Sequence, residues 1–111
     1  MSEILLLFNQ DMSSDDIAIR VNTIYRLKIV IALLNNDQIQ TQLLPILDSI
    51  IKKEEDEVLF SLAKELGLIF NLLPNFQTQV FGLLEQLSSI EETVVRDQAV
   101  ASINLISNKM T

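Results

Sequence analysis

The sequence predicts an all-α solenoid, a stack of helix pairs, and three observations lead there. Apolar residues recur at spacings of three and four throughout the 111 residues. Glycine and proline, the usual breakers, occur only twice each. A single two-helix unit recurs three times, which marks modular stacking and not one bundle around a shared centre.

Six antiparallel helices are expected, over about 3–12, 16–34, 38–52, 56–72, 76–88 and 92–107. The first follows from the apolar run Ile4 to Phe8. Before the second, Ser13 and Ser14 precede Asp15 and Asp16, whose oxygens can accept the orphan amide hydrogens of a helix start. The third contains Pro45, which removes a backbone donor and should kink it. The fourth begins where Glu54 to Glu57 crowd the positive end of a helix dipole. Pro74 forces a stop, leaving Asn75 as the expected N-cap of the fifth. Ser89 with Glu92 three residues on fits a capping box for the sixth.

The repeat appears when the chain is laid on itself. At an offset of 37, Leu43 meets Val80, Leu47 meets Leu84, Ile50 meets Leu87, Val58 meets Val95, Ala63 meets Val100, Leu66 meets Ile103 and Ile69 meets Ile106. At an offset of 39 in the other direction, Leu44 meets Leu5, Leu47 meets Phe8, Val58 meets Ile19, Ala63 meets Ile24, Leu66 meets Leu27 and Ile69 meets Val30. Each unit is a shorter helix, an acidic turn and a longer helix, giving one domain over 1–111 with units of about 1–36, 37–74 and 75–111. A pair of this size cannot cover its own apolar faces, so pairs stack. In the last helix the apolar members spread over an arc of roughly 260° at about 100° per residue. A capping helix would be polar outside, so either the solenoid continues or this face meets another protein.

Composition excludes most chemistry. Fifteen acidic side chains against eight basic ones give a net charge of −7, which repels phosphate backbones and anionic headgroups; no nucleic-acid or membrane partner is expected. Histidine and cysteine are absent, removing imidazole and thiolate nucleophiles and zinc sites. Two isolated glycines, Gly67 and Gly82, cannot form a phosphate-cradling loop. No metal and no cofactor are expected, and calcium is disfavoured because the acidic turn has no glycine or alternating ligands. Phe8, Tyr25, Phe60, Phe70, Phe76 and Phe81 sit at helical spacing and should be mostly core, with Tyr25 and Phe60 the more exposed. The apolar run at the N-terminus is too short for a signal core, and Ile29 to Leu34 too short for a bilayer span. The expected address is the cytoplasm, with the nucleus also open.

The middle unit reads Leu43-Leu44-Pro45-Ile46-Leu47-Asp48-Ser49-Ile50-Ile51, an acidic turn Asp56-Glu57-Val58, then Leu62-Ala63-Lys64-Glu65-Leu66-Gly67. It resembles a HEAT repeat, with its proline in the first helix and its Ala and Leu-Gly in the second. Two longer strings narrow the likeness: Glu55-Asp56-Glu57-Val58-Leu59 running on to Gly67, and Ile90-Glu91-Glu92-Thr93-Val94-Val95-Arg96-Asp97 running on to Ala99-Val100. Both resemble the N-terminal HEAT repeats of the scaffold (A) subunit of the type 2A protein serine/threonine phosphatase. The likeness covers essentially the whole chain, strongest at 54–67 and 90–107. That family's scaffold carries many more repeats. Many HEAT repeats also pair an aspartate in the turn with a basic residue after the valine. This chain has Ser14, Lys53 and Ile90 at the aspartate positions, while Arg20 and Arg96 keep the basic role and Leu59 does not, so an aspartate–arginine ladder between repeats is not expected.

The resemblance implies three HEAT repeats in right-handed superhelical stacking, with no enzymatic activity. It implies that the intra-repeat turns dock phosphatase regulatory (B-type) subunits, while the catalytic subunit is held only by C-terminal repeats absent from this sequence. The implied contact strip comprises Ser14, Asp15 and Asp16; Lys53, Glu54, Glu55, Asp56 and Glu57; and Ile90, Glu91, Glu92, Thr93, Val94 and Arg96. Two readings of the acidic turns stand side by side: a docking ridge, or solvated carboxylates that favour helix starts. Arg96 either anchors a partner carboxylate or pairs within its own turn. Competing functions are an unrelated HEAT or armadillo-type adaptor, a short decoy that occupies regulatory subunits, and an enzyme using carboxylates with magnesium.

Overall fold

The computed structural model describes residues 2–110. Among these there is no strand, and the all-α class expected from the sequence is what the chain adopts. Helix α1 spans Glu3–Met12, begun by Ser2, whose hydroxyl accepts the Leu5 amide hydrogen. Helix α2, Ile17–Tyr25, starts at Asp16, whose carboxylate accepts the Ala18 amide hydrogen at 2.9 Å; Asp16, not the preceding serines, is the cap. The single helix expected over 16–34 is two. At Arg26 the amide reaches back only three residues, to the Thr23 carbonyl, and α3, Leu27–Ala32, starts anew.

Helix α4, Asn36–Gln38, begins with a full capping box between Asn35 and Gln38, with bonds of 2.8 and 3.0 Å. It widens into a π-helical turn, Ile39–Leu43, before α5, Leu44–Lys53. The Leu44 amide bonds five residues back to the Ile39 carbonyl, so Pro45 enters the first turn of α5, where its missing N–H costs nothing. The expected distortion at Pro45 is therefore this widened turn. Helix α6, Asp56–Ile69, tightens into a 3₁₀ turn at Phe70–Leu72. A second such turn, Pro74–Phe76, leads into α7, Gln77–Leu87, so Phe76 and not Asn75 holds the cap position, without a side-chain bond. Helix α8 spans Thr93–Met110. The Ser89–Glu92 capping box does not form: Ser89 donates to the Glu85 carbonyl instead, and the Arg96 amide bonds the Glu92 carbonyl.

The extents are 36 × 30 × 18 Å, and 18 Å is about two helix diameters. Helix α6 packs against α2 on one side and α8 on the other, while α5 packs on α7 and α1 on α2 and α3. This flat arrangement agrees with a helical-repeat solenoid. It also explains why α6 buries nearly its whole circumference, including Val58, Leu62, Ala63, Leu66, Gly67 and Ile69. The end helices bury one stripe each. In α8, Val95, Ala99 and Ile106 are covered while Val94, Val100 and Leu105 face outward. Two matched core positions therefore fail: Ile19 is 40% and Val100 44% exposed, because each lies on a side with no neighbouring helix. Tyr25 and Phe60 are the partly exposed aromatics anticipated, joined by Phe81.

Helices α6 and α8 approach closely at Gly67. A Cβ there would stand 2.8 Å from Ser102 Oγ and 2.9 Å from Ser102 Cβ. The buried Ser102 hydroxyl donates to the Ala63 carbonyl at 2.8 Å, tying the two helices across the seam.

Candidate protein-interaction edge

The turns joining α1 to α2, α5 to α6 and α7 to α8 hold the sequence-predicted contact residues. In the first, the Ser14 hydroxyl accepts the Asp16 amide hydrogen at 3.1 Å, and Asp15 and Asp16 are exposed. In the second, Lys52 and Lys53 end α5 and Asp56 and Glu57 start α6, each sign at the helix end whose dipole it complements. In the third, Glu91, Glu92, Thr93, Val94 and Arg96 are exposed, whereas Ile90 is half-buried against the core.

Arg20 brings the first two turns together. Its Nη1 donates to the Ser14 carbonyl at 2.7 Å and its Nη2 to Glu55 Oε2 at 3.1 Å. Its Nε lies 3.3 Å from Glu54 Oε1 but is not aligned for a hydrogen bond, so that contact is coulombic. A rung between neighbouring turns thus exists, with Arg20 in the basic role and glutamates, not aspartates, supplying the carboxylates. The same rung occupies Glu54, whose side chain is only 10% exposed and has little surface to offer a partner. Arg96 makes no such bridge; its Nη2 reaches Thr93 Oγ1 within its own turn at 3.5 Å.

The second and third turns share a hollow of about 330 Å³, walled by Asp56, Glu57 and Glu92 and floored by Phe60, Val94 and Val95. The three turns therefore lie side by side along one edge. That edge is acidic, with an apolar floor between its second and third members. Among the described residues no group of three or more acidic side chains converges to hold a metal ion, and no helix is long and apolar enough to cross a membrane.

Two polar features, one buried and one at the surface, escaped the sequence. Glu65, on α6, is 3% exposed and its Oε2 has no hydrogen-bond partner. Burial pushes its carboxyl above the usual 4.5, against the opposing pull of Lys28 and Lys64. On the other layer, Asp48 accepts from Lys52 at 2.9 Å and from Gln86 at 3.1 Å, and these bonds, Lys52 first, hold its carboxyl below its ordinary value. The Asp48–Gln86 bond joins α5 to α7 as Arg20 joins the first turn to the second.

No protein-family model matches the chain. Individual relatives do. The chain is 39% identical over 103 residues to the beta isoform of the rat 65 kDa regulatory A subunit of serine/threonine-protein phosphatase 2A, matching 91% of its own length and 17% of the relative. It is 33% identical over 109 residues to the Saccharomyces cerevisiae regulatory A subunit of protein phosphatase PP2A, covering 96% of this chain and 17% of that one. The alpha isoform of the Arabidopsis thaliana 65 kDa regulatory A subunit is 34% identical over 102 residues, again with 17% of the relative covered. The chain thus spans about a sixth of the length of the curated relatives it matches.

Proposed function

The chain is homologous to 65 kDa regulatory A subunits of protein phosphatase 2A along about nine-tenths of its length, and from that premise we propose that it is a non-catalytic scaffold segment whose edge of turns docks regulatory subunits. Its 111 residues form three HEAT repeats, about 1–36, 37–74 and 75–111, in right-handed stacking. The observation that carries the reading is the alignment of the three turns. Arg20 ties the first to the second, and one hollow joins the second to the third.

The mechanism is geometric. A scaffold whose turns hold a regulatory subunit, and whose other repeats hold a catalytic one, makes their encounter intramolecular. That raises the effective concentration of any substrate the regulatory subunit carries. Glu55, Glu57, Glu91 and Glu92 are exposed and suit a basic partner surface, setting orientation and association rate. Glu54 contributes indirectly, by holding Arg20.

The test is capture of a purified B-type regulatory subunit by the chain, compared with a variant carrying Glu55→Lys, Glu57→Lys, Glu91→Lys and Glu92→Lys. Reversals of the same sign away from the turns, Glu3→Lys and Asp37→Lys, serve as control. Loss of capture in the first variant alone is expected. Equal capture by both would return the acidic turns to a purely helix-starting role. Firm binding of the purified catalytic subunit, with no other protein present, would contradict the division of labour.

A further inference from the structure

We propose that the outer face formed by α1 with α2 and α3 is a self-association surface, closed by a second copy of this chain about a two-fold axis. It is a different face from the edge of turns, meeting it only near Asp11, and does not depend on the role given to them. Between α1 and α3 runs an open groove of about 270 Å³, with Leu7, Ile29 and Val30 among its walls. Leu7 is 51%, Ile29 59% and Leu33 63% exposed, so large apolar side chains on two neighbouring helices look outward together. Leu5, Leu27 and Ile31 of the same helices go to the core, and Phe8 and Val30 lie buried at the base of the groove, so the outward set is a second apolar face.

Charge indicates the occupant. Of the residues lining the groove only Asp11 and Arg26 are charged, and they are of opposite sign. They stand 3.8 Å apart with side chains 44% and 56% exposed, leaving each with bonding capacity toward a newcomer. In an isologous contact, where one residue meets a second the second also meets the first. A two-fold axis over this groove therefore sets Asp11 of each copy against Arg26 of the other while Ile29 and Leu7 cover one another. A chain of net charge −7 repels its own copy in most orientations. On this face the two charges cancel, and that repulsion is reduced.

The experiment measures molar mass by sedimentation equilibrium on the whole chain over a wide dilution series, with circular dichroism confirming that each variant stays folded. Concentration-dependent dimers are expected. Ile29→Lys, at an exposed position, should weaken association by about tenfold or more. Asp11→Arg alone should do the same by setting arginines against each other, and Asp11→Arg combined with Arg26→Asp should restore it. A monomer at every concentration would overturn the proposal. So would dimers abolished by Val100→Lys on α8 but untouched by Ile29→Lys.

Discussion

Replacing Gly67 with alanine sets two effects of known sign against each other. In isolation the change favours the helix by about 1 kcal/mol, the difference between glycine and alanine in a helix interior. In place, the new methyl stands 2.9 Å from Ser102 Cβ, where ordinary contact begins near 3.4 Å, so α6 and α8 must part by about half an ångström. Rotation of the Ser102 hydroxyl relieves its own 2.8 Å contact but not that of Cβ, and it gives up the buried bond to the Ala63 carbonyl, a loss of about 1 kcal/mol. Overpacking of a close-packed seam adds about 1–3 kcal/mol. The expected net result is a destabilisation of about 1–3 kcal/mol, with the clash outweighing propensity. Urea unfolding followed by circular dichroism reads it directly. The Gly67→Ala, Ser102→Gly double variant moves the missing Cβ from one helix to the other and should recover at least about 1 kcal/mol relative to the sum of the single changes. If Gly67→Ala raises stability, or the two changes simply add, α6 and α8 are not in contact at this point.

Two further outcomes follow from the interior and the edge. Glu65→Gln should stabilise the chain at pH 7 and lose that advantage in acid. The folded carboxyl is shifted upward, so the wild-type chain loses stability as pH rises from the usual 4.5 through the folded value, while the amide does not titrate; the same difference in urea midpoint at pH 7 and pH 4 would refute the burial argument. Arg20→Met should lower stability by about 1 kcal/mol and increase hydrogen exchange in the first two turns, because it removes the bridge to Glu54 and Glu55; unchanged exchange there would mean the turns are registered by packing alone.

The sequence reading went furthest where periodicity and packing coincide. Leu47, Leu84, Val58, Val95 and Ile69 were matched as equivalent positions and all are buried. It was weaker where a local rule had two claimants. Ser89 and Glu92 satisfy the capping-box pattern, yet the serine hydroxyl finds the Glu85 carbonyl at the end of α7 first. Asn35 and Gln38 carry the same signature and do form it, so the pattern alone does not separate the box that forms from the one that does not. The break at Arg26 has neither glycine nor proline to mark it. Along the edge, side-by-side turns and the basic role of Arg20 are legible from the repeat, but the partners of its bridge are not. They depend on which glutamates of the next turn lie within reach, and an offset along one dimension does not give that distance.

The position of α6 governs how the chain comes apart. A stacked layer loses its outermost members first, since each of them gives up a single seam where an inner one gives up two. The outer pairs, α1 with α2 and α7 with α8, should therefore fray toward α6 from opposite sides. A ligand that grips the α5–α6 turn together with either neighbour would act as a staple across a line of fraying, and so the middle bend is where binding and folding share one foundation.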